Sequence, residues 1–475
     1  MAYRQAERQQ RWLFPQSIEE YISPDDPVRA YDAFVETLDL QHLGIEWNPQ
    51  KVGCPQYDPT VMLKILVYGY SYGIRSSRKL ERALYHNLSF IWLAGALKPD
   101  HKTISRFRRE NRKALKQVLK ECARLCIELD LIAGNTLFVD GTKLRANASL
   151  SNLWTSKRCQ KYLDRLDQRI DEILSECDRI DQQEGDQESL VQMKTELNNK
   201  QKLKAKVQMA LDKLQSEGLE RLNTTDPECA RMHGRQGSHA GYNAQIVVDD
   251  KHGLIVHGDV VNDNNDRRQF ADQVEAAQEA SGEPCQVACA DSGYYSGDVL
   301  EKVDKSGIKV VVPSQEQVSR RQAGPFDKSR FDYISAEDVY VCPAGEKLPY
   351  RGTCMQRRRR EYRLSGVTCR RCGHFGVCTK SRKGRKIDRF INEPLRDRLR
   401  AEFEEPGSQQ IYSRRKEKVE LPFGHIKRNL GVDSFLLRGL AGVRAEMSIL
   451  GSCFNIRRLI SLFGVNGLIT KLSSL

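Results

Sequence analysis

The first 130 residues place apolar side chains at the helical period. Ser23-Pro24-Asp25-Asp26 supplies a start signal, and Val28, Tyr31, Phe34, Val35 and Leu38 follow on one face. Asp58-Pro59 opens a second stretch, with Val61, Met62, Ile65, Leu66 and Tyr68 inside. Ser76 or Ser77 caps a third, whose apolar positions are Leu80, Leu84 and Tyr85. Asp100 caps a fourth, predicted to run from about His101 to Leu129 with Ile104 and Phe107 inward. Its first turns present Lys102, Thr103, Ser105, Arg106, Arg108 and Arg109. Short helices leading into a capped helix that opens with hydroxyls and arginines resemble a helix-turn-helix reader, which makes Arg106 and Arg109 candidate DNA contacts. An amphipathic helix with a basic outer face is the plainer alternative.

The period then shortens to two. Thr136-Leu137-Phe138-Val139 has strand propensity, with Asp140 at its end and Gly141 expected to turn the backbone. Cys285-Gln286-Val287-Ala288-Cys289-Ala290-Asp291 repeats the arrangement: a short apolar run, a terminal acid, then Ser292-Gly293. A carboxylate at the end of a buried strand is rigidly held yet able to face a cleft, so two of them point to one pocket. Turn chemistry alone would also explain each aspartate. Between them, Gly241–Asp249 and Leu254–Val261 flank Asp250-Lys251-His252-Gly253, a hairpin signal. Asp266 is expected to cap a helix with Phe270, Val274 and Ala277 inward. A helix near Gly297–Lys305 and a strand over Ile308–Val312 complete a mixed sheet, its first three strands antiparallel and its later ones parallel.

Residues 160–218 form a different unit. Leu163, Leu166, Ile170, Ile173, Cys177 and Ile180 recur every three or four residues, and Leu190, Met193, Leu197, Leu203, Val207, Leu211 and Leu214 follow after a polar break. The pattern is that of an antiparallel helical hairpin, either a projecting arm or a dimer contact.

Composition sharpens this picture at one place. The chain has 475 residues and a formal net charge of +13. Arg351–Arg389 alone holds fourteen Lys and Arg against Glu361 and Asp388, a local excess of twelve positive charges. Such concentration favours a polyanion partner over a merely solvated charge run. The N-terminus lacks the apolar core of a signal peptide, and no apolar run approaches the roughly 18–20 residues of a membrane span. A cytoplasmic protein is therefore expected, and fourteen cysteines read as thiols or metal ligands rather than disulfides. Cys369-Arg370-Arg371-Cys372 can grip one ion from a tight turn, and Cys342 and Cys378 would complete a thiolate site suited to structural zinc. His374 and Cys354 are alternative ligands, and free thiols or a redox pair the competing reading.

A third acid lies in Ile411-Tyr412-Ser413-Arg414-Arg415-Lys416-Glu417-Lys418-Val419-Glu420-Leu421-Pro422-Phe423-Gly424-His425-Ile426-Lys427-Arg428. Glu420 and Lys427, seven apart, share a helix face. Pro422 predicts that a regular helix begins near or after it, or is kinked there.

With Val139-Asp140-Gly141-Thr142-Lys143, Ala290-Asp291-Ser292-Gly293-Tyr294 and Val419-Glu420-Leu421-Pro422-Phe423-Gly424 in view, the chain resembles bacterial insertion-sequence transposases of the DDE superfamily over nearly its full length. Many members carry Tyr-x2-Arg-x3-Glu-x6-Lys around the last acid. Glu420 and Lys427 fit it, whereas Tyr412 and Arg415 are displaced by one residue and Lys416 takes the arginine's place. The resemblance implies an α/β fold whose core is an RNase H-like mixed sheet. It implies that Asp140, Asp291 and Glu420 bind Mg²⁺ (or Mn²⁺), and that the protein cleaves double-stranded DNA at element ends and joins them to a target. A homodimer in the synaptic complex is implied in the same way. Lys427, Lys143 and Arg145 are candidates to hold the phosphate backbone. The expected organisation is a helical DNA-binding domain (1–130), a core first part (131–150 and 222–315), an inserted helical hairpin (151–221), a basic cysteine-rich insert (316–395) and C-terminal core helices carrying the third acid (396–475). An RNase H-like nuclease without strand transfer, or a DNA-binding relative without chemistry, are the alternatives.

Overall fold

A computed structural model describes residues 17–46, 56–182, 187–234, 237–319 and 324–474. The N-terminal helices are α1 (Pro27–Glu36), α2 (Pro59–Ser71), α3 (Ser77–His86), α4 (Leu88–Leu93), α5 (His101–Glu110) and α6 (Arg112–Glu128). Asp26 and Asp58 start the first two as expected, accepting from the Val28 and Thr60 amides at 2.9 and 2.7 Å ahead of a proline in the first turn. The single helix expected from His101 to Leu129 is two. Asn111 breaks it, its side chain donating to the Phe107 carbonyl at 2.9 Å and competing with the backbone there. Two positions read as outward and inward are reversed: Arg108 is buried, and Tyr85 is half exposed.

Arg108 is buried because it has work inside, donating to the Arg75 carbonyl at 2.7 Å and the Tyr70 hydroxyl at 3.3 Å. Arg75 in turn meets the fully buried Glu446 at 2.7 Å, and that carboxylate also accepts from the Leu436 and Leu437 amides at 2.9 and 3.0 Å. Burial raises the Glu446 pKa and Arg75 opposes it. Arg75→Ala would leave a buried carboxylate without its cation. It is expected to cost about 3–5 kcal/mol of stability, read from denaturant unfolding; a loss below about 1 kcal/mol would show that the pair contributes little.

Next come β1 (Thr136–Arg145), β2 (Leu153–Trp154), α7 (Ser156–Gln182), α8 (Gln187–Ser216), β3 (Leu222–Asn223), β4 (Ala230–Gly234), β5 (Gly237–Asp249), β6 (Ile255–Val261), α9 (Phe270–Ser281), β7 (Val287–Cys289), α10 (Gly297–Lys305), β8 (Lys309–Val311) and the short α11 (Gln315–Val318). The sheet order is β4-β5-β1-β7-β8, with β6 also on β5. β5 and β6 form the expected antiparallel hairpin, and β1, β7 and β8 pair in parallel. β1 does not end at Asp140. It continues to Arg145, paired with β5 from Leu137↔Asp249 to Arg145↔Gly241. On its other edge β7 covers only Thr136 to Phe138, and residues 433–435 return to pair at Arg145. The edge between is left open, and there the cleft forms.

α7 and α8 pack as a hairpin with a small core of Cys159, Leu163, Val207, Ala210, Leu211, Leu214 and Leu222; the side chains of Ile180 and Leu190, also assigned to its seam, lie outside what is described. A second sheet, order β13-β12-β11-β10-β9, comprises β9 (Asp332–Ile334), β10 (Val339–Val341), β11 (Lys347–Cys354), β12 (Arg359–Arg363) and β13 (Lys386–Phe390), with α12 (Gly366–Arg371) between the last two. Finally α13 (Glu393–Glu404), α14 (Pro406–Gly424) and α15 (Leu440–Leu472) close the chain. α14 starts well before Pro422 and passes through it, correcting the expected start. The proline cannot donate to the preceding turn, and the helix widens into a π segment, His425–Asn429, just beyond. One core runs from α1 through the six-stranded sheet to α15. No helix among the described residues is long and apolar enough to cross a membrane.

Candidate catalytic cleft

The cleft beside the open edge of β1 has a volume of ≈ 840 Å³, and its lining includes Gly141, Thr142, Lys143, Arg145, Asn243, Asp266, Asp433 and Lys427. Asp140 sits in mid-strand, next to the cleft-lining Gly141, with Arg415 of α14 3.6 Å from its carboxylate. Its pKa is pushed up to about 6: burial is the main cause, Arg415 opposes it, and the nearby charges of Asp291 and Asp266 add to it. Asp291, two residues past the end of β7, caps a short 3₁₀ turn and accepts from the Gly293 amide at 2.8 Å. The two strand-borne aspartates are thus within electrostatic reach of each other.

Asp266 is not the helix cap that its position suggested; α9 begins four residues later. Its carboxylate accepts instead from the side-chain amides of Asn243 and Gln245 on β5, at 2.7 and 2.8 Å. Gln245 also accepts from the buried Tyr294 hydroxyl. Gly141 makes this possible. A Cβ there would lie 2.3 Å from the Gln245 amide nitrogen, 2.8 Å from Asp266 and 2.9 Å from the Tyr294 oxygen. Gly141 therefore keeps a strand open for a polar layer rather than ending it.

Glu420 is not gathered in. It stands exposed on α14, and among the described residues no group of three or more His, Cys, Asp or Glu side chains is set at metal-holding separations. Arg415, out of register with the family pattern, is the α14 residue that reaches Asp140, with its guanidinium 5.7 Å from the Tyr412 ring centre. Lys427 reaches back to the Thr142 hydroxyl, Lys143 donates to the His233 carbonyl at 3.1 Å, and Arg145 is exposed in the cleft. Arg106 and Arg109 are exposed on α5, on the far side of the helix from buried Ile104 and Arg108.

The cysteines form a second assembly. Cys342, Cys369, Cys372 and Cys378 line one cavity of ≈ 30 Å³ with His374, Phe326 and Leu364 among its walls, whereas Cys354 is exposed at the end of β11. Burial raises the Cys378 pKa; Arg385 opposes this, and the other three thiols add to it. Cys369 sulfur accepts from the Arg385 amide at 3.3 Å. None of the described cysteines is in a disulfide. The basic excess around them is partly answered from outside the segment, as in Arg358 with Asp298 and Arg360 with Asp338 at 3.0 and 3.2 Å.

Comparison with known families agrees with this architecture. Residues 16–110 match a transposase domain (DUF772), and residues 341–460 match a transposase DDE domain. Together the two matches support an insertion-sequence DDE transposase. No curated protein matches it. Sequence reasoning missed Asp266, Asn243 and Gln245; the available signal was the polar run Asn262-Asp263-Asn264-Asn265-Asp266, too acidic and amide-rich for a simple turn.

Proposed function

We propose that this protein cuts double-stranded DNA at the ends of a mobile element and joins them to target DNA, on an RNase H-like core in which Asp140, Asp291 and Glu420 hold divalent Mg²⁺ or Mn²⁺. One observation carries the reading: Asp140 on β1 and Asp291 just past the neighbouring parallel strand β7 feel each other's charge, and Asp140 directly precedes Gly141, which lines a cleft bordered by Lys143, Arg145 and Lys427. The donors suit a hard cation, being carboxylate and amide oxygens. The Asp140 pKa is raised chiefly by burial, with the charges of Asp291 and Asp266 adding to it and Arg415 opposing it, and a bound cation would offset both the burial and the repulsion. Bound there, such ions would activate a water or a DNA 3′-hydroxyl toward a phosphodiester and stabilise the leaving oxygen.

The chain's own residues do the rest. Arg415 supplies the charge beside Asp140 in this structure, and Glu420 shares its helix, so α14 is assigned the third carboxylate. Lys427, tied to Thr142 on the strand that holds Asp140, sets a phosphate beside the carboxylates, and Lys143 and Arg145 extend that contact along the cleft. Arg106 and Arg109 engage DNA from α5. Holding two ends at once calls for a homodimer, and the substrate places the protein in the cytoplasm at the nucleoid. In the second sheet, structural Zn²⁺ held by Cys342, Cys369, Cys372 and Cys378 is part of the same proposal.

The test is Mg²⁺-dependent nicking of a duplex carrying the element's terminal repeats, followed by joining to a second duplex. Asp140→Ala should abolish both, and a wild-type protein that nicks no end-bearing duplex would overturn the reading. Lys427→Ala is expected to weaken binding similarly across sequences and to lower the slope of log K against log salt by about 1. An unchanged slope in a salt titration would remove Lys427 from the phosphate contacts.

A further inference from the structure

Asp266 has a position that neither capping nor ordinary packing explains. Its Oδ1 is held by two neutral amides, Asn243 at 2.7 Å and Gln245 at 2.8 Å, which fix the carboxylate without neutralising it. Its Oδ2 lies on the Gly293 side: a point one Cβ bond from Gly293 lies 3.9 Å from Asp266 Oδ2 and 2.8 Å from Asp291 Oδ1. On the other side, Oδ1 lies 2.8 Å from the corresponding point at Gly141, the residue after Asp140. The group therefore lies between the two glycines that follow the strand-borne aspartates.

An independent observation points the same way. Asn243 is 1% exposed and lines the cleft, and among the described residues its Oδ1 has no hydrogen-bond partner. Its amide nitrogen is committed to Asp266, so the oxygen is presented with nothing to accept from. A buried acceptor left in that state is costly, and a cation or a water of its hydration shell would satisfy it.

We infer that Asp266 is a fourth carboxylate of the divalent-cation site, binding through Oδ2 while Asn243 and Gln245 hold Oδ1, with Asn243 Oδ1 as an adjoining oxygen donor. The inference rests on the reading of Asp140 and Asp291 as cation ligands. Under it, the sheet itself supplies three of the acids from β1, the β7 end and the segment before α9, and the exposed Glu420 is added from α14. Oxygen-rich coordination of this kind suits Mg²⁺ and Mn²⁺.

The experiment is Mn²⁺ binding to the full-length protein without DNA, followed by electron paramagnetic resonance, with melting temperature measured in chelator. Asp266→Asn keeps the shape and one acceptor oxygen but removes the charge. It should weaken Mn²⁺ at least about tenfold, as loss of a ligand or its direct support does, while melting in chelator no lower than wild type. Asp266→Glu should recover part of the affinity. If Asp140→Asn weakens Mn²⁺ and Asp266→Asn does not, the inference fails and the catalytic reading stands. If neither variant changes binding, both fail. A variant that melts lower yet binds Mn²⁺ like wild type assigns Asp266 to structure alone and overturns the inference. Should Asp266→Asn not fold, Asn243→Ala decides, with a several-fold loss of Mn²⁺ affinity expected and unchanged binding counting against.

Discussion

Asp291→Asn should abolish DNA cleavage while leaving DNA affinity within about threefold of wild type. The substitution is well suited to separate chemistry from folding. Asp291 uses its oxygen to accept from the Gly293 amide at 2.8 Å, and an asparagine oxygen can accept the same bond, so the 3₁₀ turn after β7 survives. What is lost is a negative charge next to Asp140. A cation site deprived of one carboxylate loses several kcal/mol of transition-state stabilisation; at about 1.4 kcal/mol per tenfold, a loss of about 4 kcal/mol lowers the rate on the order of a thousandfold. Affinity should hold because phosphate contacts dominate it, and those are assigned to Lys427, Lys143 and Arg145. Single-turnover nicking and a binding titration at fixed salt give the two numbers. Wild-type cleavage by the variant would remove Asp291 from the site, and lost binding with intact cleavage of saturated DNA would make it a contact instead.

How far the sequence reveals this site depends on whether each feature is local. Asp26-Pro27 and Asp58-Pro59 announce their helices because cap and proline act within one turn. The β5–β6 hairpin is legible from Asp250-Lys251-His252-Gly253, where Gly253 adopts a φ of +69°. Asp140 and Asp291 are legible as acids beside apolar runs. The errors arise where a distant partner decides. Gly141 looks like a strand end, but it sits in mid-strand so that Gln245 and Asp266 can approach. Asp266 looks like a cap because nothing nearby reveals its bonds to β5. Arg108 looks like a surface cation and is recruited inward by Arg75, thirty-three residues away in sequence. α14 crosses Pro422 because Val419, Pro422 and Phe423 are buried along it, tertiary packing outweighing a local breaker. Register on that helix matters for the third acid. Arg415 rather than Glu420 faces Asp140, which no spacing rule on a single sequence could have told.

The other large effect expected is on the five-stranded unit, which metal removal should unfold while the main core stays intact. Its buried apolar cluster is small: Phe331, Tyr340, Leu348, Tyr362, Leu364 and Ile387, with Cys369 beside them. Much of the remaining contact is arginine laid on aromatic rings, such as Arg389 over Tyr333 at 3.8 Å and Arg396 over Phe390 at 3.7 Å. Those contacts are worth about 0.5–2 kcal/mol each, and they concentrate positive charge that repels itself once the unit loosens. A unit with so little core is the kind that a structural metal holds together. The four cysteines line one cavity, though not at metal-holding separations, and Cys369 accepts from the Arg385 amide at 3.3 Å, so zinc would have to draw them together. Purified protein should therefore carry about one zinc per chain. Chelation, or Cys372→Ser, should strip amide-exchange protection from residues 331–390 and open the Arg- and Lys-rich strands to trypsin, leaving β1, β5 and α15 protected. Protein that contains no zinc when carefully prepared, or that keeps its protection over 331–390 after chelation, would leave these four cysteines as thiols packed together without a metal.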